Sequence, residues 1–289
     1  ADTVFCDQSL GFINDPRLDQ PRTPSNSLVK IPSAMLANLY LRSVLLPANV
    51  PGASSLTDGL GFYLSQLVWA EEASRKDVMS AVRDLHWHYF TERTGAVEEG
   101  TIVDHPEQTW VGAHKHAAVL YGLERYMGRE NLLEAMAGVV GDYRLQDAPL
   151  PHTRNLVEAI RIRAPEWQQL ITDLFERRTF YDLAVNSVDV KQIEKNSYRL
   201  EVLASVGKHH VTPEGQKTPA DLEIPVELAV YGELDENGRQ ALLWQGLVTA
   251  DELKNERVGI TVESPPTAVE IDPDRRLLDP DRKDNRLTF

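Results

Sequence analysis

The first half of the chain carries apolar side chains at intervals of three and four residues, which is the spacing of one face of an α-helix. Val78, Val82 and Leu85 show this pattern within one segment. Breakers such as Gly128 and Pro149-Leu150-Pro151 separate the segments, and residues 1–31 and 91–109 are loop-like. The pattern predicts helices over Ser33–Ser43, Thr57–Ala73, Lys76–Phe90, Val111–Met127, Asn131–Tyr143, Thr153–Ala164 and Pro165–Arg177.

Near Asp182 the pattern changes to an alternation of apolar and polar residues, which is typical of half-buried β-strands. We interpret residues 184–270 as a β-sandwich followed by an irregular tail. The sequence therefore predicts an α+β chain with a mostly helical domain at residues 1–183 and a β-sandwich domain at residues 184–289. The predicted strands are Tyr198–Leu203, Ile224–Tyr231, Gln240–Leu247 and Arg257–Val262, with a polar loop at Gly207–Leu222 and a hairpin turn at Asp235-Glu236-Asn237-Gly238.

The composition and net charge of the chain limit the classes of binding partner that we expect. The 289 residues are 42% hydrophobic, enough to bury the core of one large or two ordinary domains. The formal net charge of −14 argues against nucleic acid or an anionic membrane surface as a partner. No apolar run approaches the length of a membrane span, so we expect no direct membrane insertion in this segment. The single Cys6 cannot form an internal disulfide and does not indicate a redox compartment.

The segment Met35–Tyr63 carries the pattern on which the functional interpretation depends. It begins Met35-Leu36-Ala37-Asn38-Leu39 and ends Asp58-Gly59-Leu60-Gly61-Phe62-Tyr63. Residues 35 and 39 lie one helical turn apart and share a face. A zinc peptidase would place two histidines there, as H-E-x-x-H, with the Glu as general base. A third ligand, Glu, would come from the next helix, at the position of Asp58.

Other segments of the chain occur in the same order as the segments of a known zinc peptidase family. Together with Met35–Tyr63 they resemble the alanyl aminopeptidase (aminopeptidase N-type) family of gluzincin zinc metallopeptidases, over residues 5–285. The likeness is strongest to the peptidase-like extracytoplasmic domains of bacterial ABC transporter permeases. The resemblance depends on the order and spacing of these segments. The segments are Ser9-Leu10-Gly11-Phe12-Ile13 before the zinc helix, Pro47–Ala53 between the helices, Leu56-Thr57-Asp58-Gly59-Leu60 as the L-x-E-G opening, Val111–Arg125 as the Tyr-x-Lys-Gly helix, and Glu270–Asn285 as the closing segment.

This resemblance implies the helical half of a thermolysin-like (gluzincin) catalytic domain followed by a β-sandwich domain. The family's N-terminal β-domain and its G-x-M-E-N strand have no counterpart in the sequence. We therefore expect the chain to correspond to the C-terminal part of such a protein, as a fragment of a longer polypeptide or as the partner of a separate chain. An unsatisfied packing surface would follow from that.

The residues at the family's zinc-binding positions lack the required chemistry. Met35 and Leu39 replace the two histidine ligands, Leu36 replaces the general base, and Asp58 keeps the charge on a shorter side chain. We therefore expect zinc to be absent and Met35, Leu36 and Leu39 to fill the former metal cavity. An ordinary core helix explains Met-Leu-x-x-Leu as well, and it also predicts no metal at these positions.

The same resemblance places the tyrosine that would stabilise the oxyanion at Ala113 and the acidic residue that would grip the substrate amine near Gln8. Asp58 is interpreted as an N-cap or as a salt-bridge partner of Arg42 or Lys115, with a vestigial metal ligand as the minority alternative. No Ser/His/Asp nucleophile motif and no phosphate-binding loop is recognised.

Three pairs of histidines invite a metal interpretation, and we expect each to be surface or core histidines instead. On a helix, residues i and i+2 point to different faces, so neither helical pair chelates well. The pair that merits a test is His114 and His116, which with Asp58 could form a zinc site with displaced ligands. The other pairs are His86 with His88 and the adjacent His209-His210.

The leading hypothesis is a catalytically inactive aminopeptidase-like module. Its expected role is to bind a peptide or protein, or to assemble with an ABC transporter permease or a missing N-terminal β-domain. An extracytoplasmic or periplasmic, membrane-associated location of the full-length protein is expected with it. The alternative is a zinc-dependent aminopeptidase with displaced ligands, and a third possibility is a purely structural spacer.

Overall fold

The computed structural model describes the backbone of residues 3–6, 11–14, 27–71, 74–234, 240–255 and 257–289, and side chains from residue 36 onward within these ranges except at residues 254 and 255. The chain divides into two compact units, Ala1–Arg178 and Thr179–Phe289. Helices dominate the first unit and antiparallel sheets the second, which confirms the α+β class.

The first unit starts with an antiparallel strand pair and continues as helices. None of the helices in the described part of the chain is both long and apolar enough to cross a bilayer. The elements are β1 (Thr3–Cys6), β2 (Gly11–Asn14), α1 (Ser27–Val44), α2 (Ser55–Ala70), α3 (Arg75–Gly95), a π-helical turn (Trp110–Lys115) that continues into α4 (His116–Met127), α5 (Arg129–Tyr143), α6 (Thr153–Arg163), a 3-10 turn (Pro165–Trp167) and α7 (Gln168–Phe175).

Residues 1–31 are not all loop, contrary to the sequence prediction. Val4 pairs with Ile13 and Phe5 with Phe12, and β-branched and aromatic residues favour this extended pairing. Helix α1 begins at Ser27 rather than Ser33, so Pro32 lies inside the helix. Proline lacks one N–H donor and costs one backbone bond there, while the other bonds of the 18-residue helix remain.

Local capping explains why other helix ends lie close to their predicted positions. The Ser74 side chain accepts a hydrogen bond from the backbone N–H of Asp77 at 3.3 Å and so caps α3. At α6, the Asn155 side chain accepts from the His152 N–H at 2.8 Å, as in a capping box. Gly128, with φ of +83°, separates α4 from α5 in a conformation that disfavours residues with a Cβ.

Helix α4 forms the centre of the helical unit. Nearly every residue from His116 to Leu123 is buried, so the helix is surrounded by neighbours on all sides. The π-helical turn before it also buries Lys115 and Ala113. The sequence predicted a helix over this segment but not the π-helical turn, which places two consecutive polar side chains, Lys115 and His116, in the interior.

The second unit contains two four-stranded antiparallel sheets. In one sheet β3 pairs with β4, and β4 pairs with both β5 and β8. The other sheet has the strand order β10-β9-β6-β7. The elements are β3 (Thr179–Glu194), β4 (Ser197–Val211), β5 (Lys217–Ala220), β6 (Val226–Leu234), β7 (Gln240–Val248), α8 (Ala250–Asn255), β8 (Val258–Val262), β9 (Ala268–Ile271) and β10 (Arg286–Thr288).

The strand-rich part starts at Thr179 rather than at residue 184, because Thr179–Ala184 already pair with Ser205–His210. The predicted loop Gly207–Leu222 is partly wrong, since β4 runs on to Val211 and β5 pairs back against it. The predicted turn at residues 235–238 lies outside the described residues.

The predicted irregular tail is also partly ordered. Strand β10 pairs with β9, and the connecting segment is fixed by a buried carboxylate, Asp272. Arg282 donates to the Asp272 side chain at 2.7 Å, and the backbone N–H of Arg276 donates to it at 2.7 Å. A buried carboxylate held by such donors gives the tail a defined conformation that strand periodicity does not reveal.

Candidate functional site

A cavity of about 1000 Å³ lies in the helical unit, at the upper end of the range for small-ligand sites. It is bordered by α1, by α2, by the connecting residues 45–54 and by residues 105–113. We call it the α1–α2 pocket. Leu46 is 65% exposed and Val50 is 49% exposed on its wall, so the pocket opens to solvent.

Three residues singled out from the sequence line this one pocket: Leu39 from α1, Asp58 from α2 and Ala113 from the π-helical turn. They are separated by up to 74 positions, and only the fold brings them to one surface. The sequence interpretation assigned them to positions of one site through the family resemblance. Gln8 lies outside the described residues.

Close approach of the helices depends on small residues in α2. A Cβ on Gly59 would lie 2.1 Å from Nδ1 of His116, and a Cβ on Gly61 would lie 2.7 Å from the Asn38 amide. The His116 ring is buried, so α2 packs against α4 in this way only with glycine at position 59, whereas the Asn38 side chain could move away from a Cβ at position 61. Gly59 therefore permits the close approach of α2 to α4.

Arg42 and Asp58 form an ion pair across the pocket. The guanidinium Nη2 donates to Asp58 Oδ1 at 2.6 Å, and the exposed fractions of the two side chains are 61% and 17%. The predicted salt bridge of Asp58 with Arg42 is thus confirmed. The interpretation of Asp58 as an N-cap is wrong, because α2 begins at Ser55 and Asp58 lies inside its first turn. Lys115, the other predicted partner of Asp58, instead binds a different carboxylate.

That carboxylate belongs to Glu99, which together with Lys115 forms a buried network. Lys115 Nζ donates to Glu99 Oε1 at 2.6 Å, and the two side chains are 1% and 4% exposed. Tyr89 Oη donates to the same oxygen at 2.6 Å, and Arg93 Nε donates to Oε2 at 2.7 Å. Burial opposes the charge on Glu99, but Lys115 and the other donors lower the pKa of its carboxyl. The network holds the turn that precedes α4 against α3.

The expectation that Met35, Leu36 and Leu39 fill a former metal cavity is wrong for Leu36. Its side chain is 66% exposed, because it lies on the outer face of α1. Leu39 is partly buried and lines the pocket. The Met35 side chain lies outside the described part of the structure. Leu36 therefore does not fill the pocket, and Leu39 forms part of its wall.

The helical histidines diverge in the structure. The His114 ring stacks on His88 at 4.9 Å and meets Phe62 edge to face at 5.3 Å. The fully buried His116 donates from Nδ1 to the Ser55 carbonyl at 2.9 Å. Burial lowers the pKa of both rings to about 4, so both are neutral at physiological pH. Neither of them lines the pocket with Asp58.

The remaining histidines lie elsewhere. His86 is buried in α3, and its ring is 6.2 Å from that of Phe90. In the second unit His210 Nδ1 lies 3.1 Å from Thr179 Oγ1, and the His209 ring is 5.9 Å from Phe180.

A Ser–His pair was missed from the sequence, because 50 residues separate its members. Ser55 Oγ lies 2.7 Å from His105 Nε2, and His105 Nδ1 lies 2.8 Å from the Pro106 carbonyl. His105 Nδ1 also lies 3.3 Å from the backbone N–H of Gln108, so the donor and acceptor roles of the two ring nitrogens depend on the tautomer. Ser55 is fully buried, and Gly112 packs directly over its hydroxyl. The pair thus has a structural role and joins α2 to the wall of the pocket.

Zinc does not fit the three sequence-predicted site residues that line the pocket. Leu39 and Ala113 offer no donor atom, and the Asp58 carboxylate already pairs with Arg42, whose positive charge opposes a nearby cation. Within the described residues, no group of three or more His, Cys, Asp or Glu side chains converges as a metal site would. The pocket combines apolar walls with a few polar groups.

Comparisons with known proteins give only weak structural similarity. No protein-family model matches the chain, and no curated protein matches it. Among solved structures, it is similar to Legionella pneumophila aminopeptidase A, described in complex with aspartic acid, with 14% identity and a TM-score of 0.43. The match covers 79% of this chain and 24% of that protein, so the chain spans about a quarter of its length. At that level the similarity carries no argument about activity.

Proposed function

We propose that this chain is a non-catalytic aminopeptidase-like module that binds an extended peptide segment in the α1–α2 pocket. The observation that carries the proposal is the convergence of Leu39, Asp58 and Ala113 on one open pocket. These side chains offer contact surface and one paired charge, but not a metal-binding set with a base.

The walls of the pocket suit a peptide. Apolar side chains such as Leu39, Leu46 and Val50 supply area for side-chain burial. Polar groups such as Asn49 and Thr109 lie on the same surface and can bond to a peptide backbone. A few polar groups among apolar walls are what fix the orientation of a ligand in most binding pockets.

Peptide binding can be tested with a pair of variants that make the same substitution in two places. Leu46→Asn changes an exposed wall residue, while Leu145→Asn changes a leucine that is 75% exposed and lies outside the pocket. Binding of a peptide library, measured by fluorescence anisotropy, should weaken about tenfold for Leu46→Asn, since burial of a leucine side chain is worth about 1.5–3 kcal/mol.

The Leu145→Asn variant should bind as the unchanged protein does. Equal affinities for both variants, or no saturable binding by the unchanged protein, would contradict the proposal. Association with a transporter permease and an extracytoplasmic location stay predictions from the sequence resemblance.

A further inference from the structure

The charges around the α1–α2 pocket are not balanced. Its lining includes Arg42, Asp58 and Glu107 as charged side chains. Arg42 and Asp58 form an ion pair at 2.6 Å and offset one another. Glu107 is exposed, and within the described part of the chain no hydrogen bond or ion pair engages its carboxylate. One negative charge is therefore left for a ligand.

His105, the remaining titratable side chain on the lining, does not supply a compensating charge. It is 2% exposed, and burial lowers the pKa of its ring. The chain as a whole carries a formal net charge of −14, so its long-range field attracts cations and repels anions. The charge left in the pocket and the net charge of the chain are both negative, so both favour a cationic ligand.

We infer that the ligand of the α1–α2 pocket is a basic peptide, in which a Lys or Arg side chain pairs with Glu107 while neighbouring apolar side chains contact the walls. This inference rests on the proposed function and deepens it by naming the class of peptide. The Arg42–Asp58 pair adds little net charge to the pocket, because the guanidinium reduces the negative potential that Asp58 would otherwise add.

The test uses three peptides, acetylated and amidated at their ends, with the sequence Ala-Leu-Xaa-Leu-Ala, where Xaa is Lys, Gln or Glu. Their dissociation constants are measured by isothermal titration calorimetry at low and at physiological ionic strength. Two variants with the same change of charge are compared, Glu107→Gln in the pocket and Glu92→Gln on the exposed surface of α3, outside the pocket. The third variant, Arg42→Gln, removes the positive charge that offsets Asp58.

The Lys peptide should bind up to about fivefold more tightly than the Gln peptide, and the Glu peptide should bind more weakly, as expected for a partly exposed ion pair. Glu107→Gln should abolish the preference for Lys, and Glu92→Gln should leave it intact. Arg42→Gln should increase the preference, since it frees the carboxylate of Asp58. The preference should shrink at higher ionic strength.

Three outcomes would overturn the inference while leaving peptide binding in place. They are equal affinity for all three peptides, tighter binding of the Glu peptide, and equal effects of Glu107→Gln and Glu92→Gln. The last would show that only the overall field acts. If none of the three peptides binds the unchanged protein, the proposed function itself fails, and the inference fails with it.

Discussion

The buried pair of Lys115 and Glu99 gives the sharpest prediction about stability. The side chains meet at 2.6 Å and are almost fully buried, so neither charge can be solvated if its partner is removed. In Glu99→Gln the size of the side chain is kept, but Lys115 becomes a buried cation without an anion. Breaking a buried pair in this way costs about 3–5 kcal/mol.

A matched control exists on the surface of the same unit. Arg163 and Glu134 form an ion pair in which both side chains are about half exposed. Glu134→Gln makes the same chemical change, but water replaces the lost partner, and the expected cost is below about 1 kcal/mol. The two variants have the same net charge, so a difference between them reports the burial of Glu99 together with its larger number of donors.

Urea unfolding followed by tryptophan fluorescence is the appropriate assay. Four of the five tryptophans lie within residues 1–178, so the signal reports mainly on the helical unit. The double variant Glu99→Gln with Lys115→Met should be less destabilised than the sum of the two single variants, because it removes both charges. A cost for Glu99→Gln that does not exceed the cost for Glu134→Gln would refute the reasoning.

Two further predictions concern packing and pH. Gly59→Ala should lower the free energy of unfolding by about 1–3 kcal/mol, because the added Cβ would overlap the His116 ring. Its control is Gly138→Ala in α5, where the space around the glycine is open, and this variant should be neutral or stabilising in the same urea assay. Burial raises the pKa of Asp279 to about 6. Between about pH 4 and pH 6 the carboxyl is therefore protonated in the folded state but ionised in the unfolded state. The stability that this group contributes is lost as the pH rises through 6. Lowering the pH from 7 to 5 should therefore stabilise the unchanged protein by about 1 kcal/mol relative to Asp279→Asn, and identical pH profiles of the two proteins would contradict the assignment.

Much of the helical unit could be predicted because its signals are local. Gly128 and Ser74 mark helix ends through backbone conformation and capping, and both are visible in the sequence. The partnership of Arg42 with Asp58 could be proposed because the two residues lie on consecutive helices. The start of α1 was predicted six residues too late, because a proline such as Pro32 removes a single hydrogen bond and does not end a long helix.

The interior of the site could not be predicted in the same way. Ser55 and His105 meet over a separation of 50 residues, and Glu99 comes from a polar segment that carries no periodicity. Which polar residues become buried depends on tertiary packing, which the sequence pattern does not encode. The exposure of Leu36 was missed for the same reason, because a hydrophobic residue in a helix need not face the core.

The central claim is that the pocket binds peptides and does not cleave them. It is tested most directly by incubating the purified chain with chromogenic aminoacyl substrates, with added zinc, with a chelator and with neither. The account predicts release of the chromophore at the rate of buffer alone in all three conditions. Turnover that zinc restores, that the chelator abolishes and that Asp58→Asn eliminates would contradict it.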